Sequence, residues 1–288
     1  MSGLVLSAAV RPTLGRPARY ASAMPHSALL NVMIGAARKT ARALKRDFGE
    51  VEKLQVSVKG PGNYVSAADK RAEETLYAEL TKARPGYGFL GEEGGRRDGA
   101  DPSHTWIVDP LDGTMNFLHG IPQFCISIGL ERDGTLVAGV VYNPIAEELF
   151  VAERGKGAFL NDHRIRVAAR QRLSEALIGC GVHHAGRGDM PLNRKEIAAM
   201  QGQAAGLRTL GATALDLAWV AAGRLDGFWD HALQAWDMAA GIVLVREAGG
   251  YVSDLGGGGD MLAQGEIAAG NETIHRVILK TVERAANG

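Results

Sequence analysis

The stretch "WIVDPLDGTMNF", residues 106–117, carries two aspartates three positions apart, with Pro110 between them and Gly113 directly after. The apolar run Trp106-Ile107-Val108 has the texture of a buried strand. Pro110 lacks the N–H that a strand interior needs, so the strand is expected to end there. Asp112-Gly113-Thr114 reads as a turn that frees backbone N–H groups. Asp109 and Asp112 are thereby expected at the C-terminal end of a strand, beside a donor-rich turn. Such a place can hold a cation and an anion together.

Upstream, residues 27–47 repeat apolar side chains at helical spacing and predict an amphipathic helix. Residues 66–83 predict a second helix, with Ser66 as N-cap and Asp69 three positions on, as in a capping box. Downstream, "QFCISIGLERDGTLVAGVVYNP" from residue 123 predicts two strands joined at Asp133-Gly134, a hairpin signal. "ELFVAERGKGAFLN" extends that meander through residue 161. Beyond residue 170 strands and helices alternate. Strands are expected at 176–182, 225–230, 251–254 and 266–271, and helices at 213–225, 236–250 and 272–286. The expected fold is a layered α+β/α/β sandwich of the αβαβα kind. Its first half, 25–165, holds an antiparallel meander and its second half, 166–288, alternates, the two forming a single domain. The Gly256–Gly259 run has no following Lys-Ser/Thr and reads as a surface turn, not a phosphate loop.

The 288 residues are 46% hydrophobic and 22% charged, as in ordinary globular proteins, and 32 basic residues balance 32 acidic ones. That balance argues against a global nucleic-acid or membrane-surface role. No apolar run approaches the roughly 20 residues of a membrane span. Cys125 and Cys180 lack metal-site spacing, sit in apolar surroundings and read as small buried hydrophobes in a reducing, cytoplasmic setting. Residues 1–46 contain no Asp or Glu; residues 1–24, with two prolines and no steady period, are expected to be a disordered tail.

Further acidic sites are Asp69, Glu92-Glu93 in "FLGEEGG", Asp230 ending "DGFWD", and Asp237 opening "WDMAAG". Each has an ordinary structural explanation by itself. Asp69 suits a helix N-terminus, Glu92-Glu93 a solvated turn, and Asp237 an N-cap. Glu92, Asp109 and Asp237, however, each adjoin a tight apolar or aromatic run, and carboxylates are seldom buried unless paired or metal-bound. An oxygen-only donor set without His or Cys clusters favours Mg²⁺, Mn²⁺ or Ca²⁺ over zinc. The EF-hand pattern is absent.

The motif "WIVDPLDGTMNFLHG" (106–120), with "GEE" (91–93) before it and "WDMAAGIVLVREAGG" (236–250) after it, resembles the inositol monophosphatase family of lithium-sensitive, Mg²⁺-dependent sugar phosphatases. The match runs from about residue 27 to 286, and two long motifs in order, about 120 residues apart, are far more specific than one short pattern. The resemblance implies a phosphomonoesterase that acts on myo-inositol monophosphate or a related polyol phosphate, with two or three Mg²⁺ ions and Mn²⁺ as a substitute. Glu92, Asp109, Asp112, Asp237 and the Leu111 carbonyl would hold metal; Asp69 would assist through water. Gly113 and Thr114 would offer donors to phosphate, and Glu92, Leu111, Asp112 and Asp237 would border the substrate too. Arg208 and Gly211 would face its alcohol side. The family's usual Glu seven residues before the last metal aspartate is here Asp230, one methylene shorter. The implied mechanism is direct attack by a water held by Glu92 and Thr114. A phospho-aspartate route from Asp109 normally needs Asp-x-Asp, and the spacing here is Asp-x-x-Asp. A homodimer is the family expectation.

Two rival readings stand beside this one. Within the same chemistry, fructose-1,6-bisphosphate, histidinol phosphate or a 3′-phosphoadenylate could be the substrate. From another class, the basic segment Arg38–Arg46 could serve an RNA or transcription-machinery partner, although such a run is usually a solvated helix face.

Overall fold

The computed structural model describes residues 26–51, 56–60, 63–184 and 186–287, with side chains outside 52–65. The expected tail, 1–24, lies outside the described residues. Helix α1 (Ala28–Phe48) starts at Ser27, whose hydroxyl accepts the Leu30 N–H. A short hairpin of β1 (Val56–Gly60) and β2 (Asn63–Ser66) leads into α2 (Ala67–Ala83). Ser66 and Asp69 form the predicted capping box at its start.

The main sheet follows: β3 (Tyr87–Gly91), β4 (Gly95–Arg97), β5 (Asp101–Asp112), then, after the one-turn helix α3 (Thr114–Leu118), β6 (Cys125–Arg132), β7 (Thr135–Asn143), β8 (Glu148–Glu153), β9 (Gly157–Leu160) and β10 (His163–Arg164). Its order is β10-β9-β8-β7-β6-β5-β3-β4, antiparallel except where β3 runs parallel to β5. The turn at Asp133-Gly134 has positive φ at both residues, as a tight hairpin requires. The second sheet draws on β11 (Leu177–Cys180), β12 (Gly206–Arg208), β13 (Gly227–Asp230), β14 (Tyr251–Ser253) and β15 (Ile267–Gly270), ordered β12-β11-β13-β15-β14. Here β11 is parallel to both β12 and β13.

Helices α4 (Met190–Gln201), α5 (Thr213–Ala221), α6 (Ala235–Glu247), the single turn α7 (Met261–Gln264) and α8 (Glu272–Asn287) complete the chain. Helices α1 and α2 cover one face of the large sheet, α5 and α6 fill the space between the sheets, and α4 and α8 cover the small sheet. The layered α+β fold is therefore as the sequence predicts. Helix α4 went unpredicted; its signal was Asp189, which caps it by accepting the Leu192 N–H, with Pro191 in the first turn.

Two differences concern the site. Pro110 does not end its strand; β5 continues to Asp112. The ladder to β6 instead skips, from Asp109 opposite Ser127 to Asp112 opposite Cys125, so Pro110 and Leu111 together face Ile126 alone. This bulge places proline where no ladder N–H is demanded. Helix α5 stops at Ala221 rather than 225, short of Gly223 at positive φ.

Helix α6 lies close on the large sheet because β6 and β7 present glycines to it. A Cβ on Gly129 would stand 2.8 Å from Ala239 Cβ, and one on Gly139 2.5 Å from the Ala240 carbonyl oxygen. Gly139→Ala is accordingly expected to lower stability by about 1–3 kcal/mol through overpacking. Urea unfolding checks this; an unchanged midpoint would show that α6 shifts freely.

Candidate active site

The bulge answers the question posed by the two aspartates. Side chains three apart on a regular strand face opposite sides. The extra residue in β5 cancels that alternation: Trp106, Val108 and Leu111 join the core under α1 and α2, while Asp109 and Asp112 both turn to the other side. There they line an open cavity of about 1030 Å³.

Besides β5, several structural regions meet at this cavity. Glu92 comes from the turn after β3, Gly113 and Thr114 from the start of α3, and Asp237 from the first turn of α6. Gly211 and Asp230 contribute from the small-sheet side. Nine of the expected residues thus share one cavity: Glu92, Asp109, Leu111, Asp112, Gly113, Thr114, Gly211, Asp230 and Asp237. Asp69 stands behind its wall. One oxygen of Asp69 caps α2 through Ser66 and the other accepts the Thr114 hydroxyl at 2.9 Å, so the structural and site readings of this residue hold together. Arg208 is not brought in. It lies exposed on β12, its Nη1 donating to the Leu207 carbonyl, because that strand is the sheet's edge.

The carboxylates are held from behind. Asp109 Oδ1 accepts the Leu111 N–H at 2.9 Å. Asp112 Oδ2 accepts the Ala214 N–H at 2.7 Å and the Cys125 thiol at 3.6 Å. Asp237 Oδ2 accepts the Gln234 N–H at 2.8 Å; Gln234 rather than Asp237 is the N-cap of α6. Among the described residues, one oxygen of each aspartate is thus tied and the other is left to the cavity.

The turn bearing Glu92 is clamped by Glu73 of α2, whose two oxygens accept the Glu93 and Gly94 N–H groups at 2.7 and 2.6 Å. Glu73 sits only 2.4 Å from where a Gly91 Cβ would be, so the clamp requires glycine there. The sequence reading missed Glu73, although it lies one helical turn past Asp69 on the same face.

Electrostatically the site is an unbalanced cluster of acids. Burial, then the charges of Glu92, Asp112 and Asp237, push the Asp109 carboxyl well above the ordinary aspartate range. Burial and Asp237 push Asp112 up to about 7, against its backbone bond from Ala214. Burial raises Asp237 to about 6, opposed by the Gln234 N–H and by the charge of Arg187. Asp216 of α5 also lines the cavity, with one oxygen buried and unpartnered, and burial raises it well above its usual value. Cys125 stays a thiol, raised by burial and by Asp112.

Among the described residues, no three His, Cys, Asp or Glu side chains stand as a compact ligand cluster. The donors nevertheless suit a hard divalent cation: they are all oxygens, they are buried, and they repel one another until a positive charge joins them.

Two residues in the cavity, Asp216 and Arg187, and one behind its wall, His183, escaped the sequence reading. The adjacent pair His183-His184 reads as loop, but the His183 side chain is buried and its Nε2 lies 3.2 Å from Asp230 Oδ1. The glycines flanking Arg187 were the available signal.

The profile described as the inositol monophosphatase family matches residues 26–287. A protein of Mesorhizobium japonicum named inositol-1-monophosphatase is 60% identical, with 91% of this chain and 98% of that one aligned. A Pseudomonas aeruginosa protein named Nus factor SuhB is 42% identical over 88% of this chain and 96% of its own. Among solved structures, the extragenic suppressor protein suhB of Bartonella henselae superposes with a TM-score of 0.88 at 53% identity, covering 90% of this chain and 99% of that one. The chain belongs to the inositol monophosphatase family.

Proposed function

We propose that this phosphoric monoester hydrolase cleaves myo-inositol monophosphate or a related polyol phosphate with Mg²⁺, Mn²⁺ being an alternative ion. The observation that carries the reading is the convergence of Glu92, Asp109, Asp112 and Asp237 on one cavity beside Gly113 and Thr114. The family is metal-dependent; in this chain those four carboxylates and the Leu111 carbonyl would hold two or three ions. The ions would supply neutralised charge, an acidified water and support for the leaving oxygen.

The protein's own groups do the rest. A phosphate monoester is doubly charged near neutrality, and an acid-lined cavity without cations would repel it. The Gly113 and Thr114 N–H groups take phosphate oxygens. Glu92, steadied by the Glu73 clamp, and Thr114 Oγ1 orient the attacking water. Because the Thr114 hydroxyl donates to Asp69 Oδ1, its oxygen is free to accept a proton-bearing water. Asp112 would hold an ion under the leaving oxygen, and Asp237 would complete that ion's shell. Residues 25–288 would act as one domain, in a homodimer in the cytoplasm; no described helix is long and apolar enough to cross a membrane.

The name Nus factor borne by the Pseudomonas aeruginosa relative supports a second reading, partnership with the transcription machinery. The basic face of α1 speaks against it. Lys39 pairs with Glu79 and Lys45 with Glu147, both at 2.6 Å, and Arg46 pairs with Asp47 at 3.4 Å, so these three charges are already balanced, though Lys39 and Arg46 remain exposed alongside Arg38 and Arg42.

A panel of phosphate esters, assayed for released phosphate with and without Mg²⁺ and again with Li⁺, tests the reading. Polyol monophosphates are expected to turn over only with Mg²⁺ and to be inhibited by Li⁺; preference for a bisphosphate or a 3′-phosphoadenylate would reassign the substrate. Asp109→Asn should cut turnover at least about 100-fold while the protein stays folded. Full activity at saturating Mg²⁺ would remove Asp109 from the site.

The raised carboxyls also set a pH dependence. With Asp112 at about 7 and Asp237 at about 6 when folded, against 3.8 ordinarily, the folded chain binds more protons than the unfolded one across that window. Stability of the EDTA-treated protein should therefore fall as pH rises from about 4 to 7. Thermal melting should show this slope reduced in Asp112→Asn; equal slopes would refute the electrostatic account.

A further inference from the structure

Arg187 is the lysine or arginine among the described residues that line the cavity. It lies between β11 and α4, at the C-terminal edge of the parallel pair β11–β13, where open sheets commonly place ligands. Its guanidinium is tethered, not loose: Nη2 donates to Asp230 Oδ2 at 2.7 Å. The anchor itself is tightly built. Asp230 Oδ1 accepts the His231 N–H at 2.8 Å and His183 Nε2 at 3.2 Å. A Cβ on Gly181 would fall 2.1 Å from either Asp230 oxygen, so backbone closes over the carboxylate. Gly188, at φ +66°, curls over the His183 ring, 2.2 Å from where its own Cβ would lie.

Asp230 is consequently only 1% exposed while the Arg187 side chain is 33% exposed. A hydroxyl entering from the cavity meets the guanidinium edge first. Arg187 and Asp237 line the same cavity, and the Arg187 charge opposes the upward shift of the Asp237 carboxyl. Its own charge is balanced by Asp230, so it has little net pull on a second phosphate. A planar fork of N–H donors instead matches the adjacent oxygens of a vicinal diol.

We infer that Arg187, positioned by Asp230, is the specificity-determining residue that recognises neighbouring hydroxyls on the alcohol portion of the substrate. This rests on the phosphatase reading above, and assigns Asp230 a positioning role in place of direct substrate contact.

The test compares Mg²⁺-loaded wild type, Arg187→Gln and Arg187→Lys on myo-inositol 1-phosphate and on phenyl phosphate, which has no neighbouring hydroxyl. Arg187→Gln should lose roughly 10- to 100-fold in kcat/KM on the inositol ester, mainly through KM, and less than about threefold on phenyl phosphate. Arg187→Lys keeps the charge without the fork and should fall between, with the same selectivity, which keeps the test valid should the glutamine variant fail to fold. Equal losses on both esters, or no loss on either, overturn the inference while leaving the phosphatase reading intact. A wild type that cleaves neither ester with Mg²⁺ overturns that reading, and the inference with it.

Discussion

One extra residue in strand β5 sets the chemistry of this protein. The bulge at Pro110-Leu111 converts two aspartates that a regular strand would send to opposite faces into a pair on one wall. Leu111 meanwhile keeps its side chain in the core under α1 and α2, so the kink is anchored by burial. The residues of the opening motif thus divide between two tasks. The apolar ones hold the strand in place, and the acidic ones are carried to its open side.

Collecting carboxylates in a low-dielectric wall is costly, since burial and mutual repulsion both favour the protonated forms. The structure offsets the cost with backbone N–H groups, from Leu111, Ala214 and Gln234, each tying a single oxygen. Glu73 and Asp69 apply the same device one layer further back, on the turn of Glu92 and on Thr114. Rigidity is supplied from behind the site, while one face of each aspartate stays available for a cation.

The cavity also depends on the two sheets meeting around α5 and α6. Glycines in β6 and β7 let α6 settle against the large sheet, and Gly241 lets α5 settle on α6, with Leu217 filling the space a Cβ would need. That close stacking sets the first turn of α6, with Asp237, opposite β5. It also brings the small sheet's C-terminal edge, with Asp230 and Arg187, to the other rim. The acidic cluster and the tethered guanidinium therefore reach one cavity from different layers.

Local sequence determined much of this protein. Periodicity located most helices, the Asp133-Gly134 turn fixed a hairpin, and Ser66 with Asp69 marked a helix start, because each signal is read within a few residues. The motif likeness also pointed to the acidic positions. What only tertiary structure decided involves groups distant in the chain. Pro110 could be read as a strand end or as a bulge, and the register against Ser127 and Cys125 chose the bulge. Glu73 acts across 20 residues and Arg187 across 43. Arg208 carries the right motif but sits on an edge strand and does not line the cavity that Thr209 and Gly211 border. Spacing along a chain reports which residues share a turn; which carboxylates share a dielectric is set by how the layers pack.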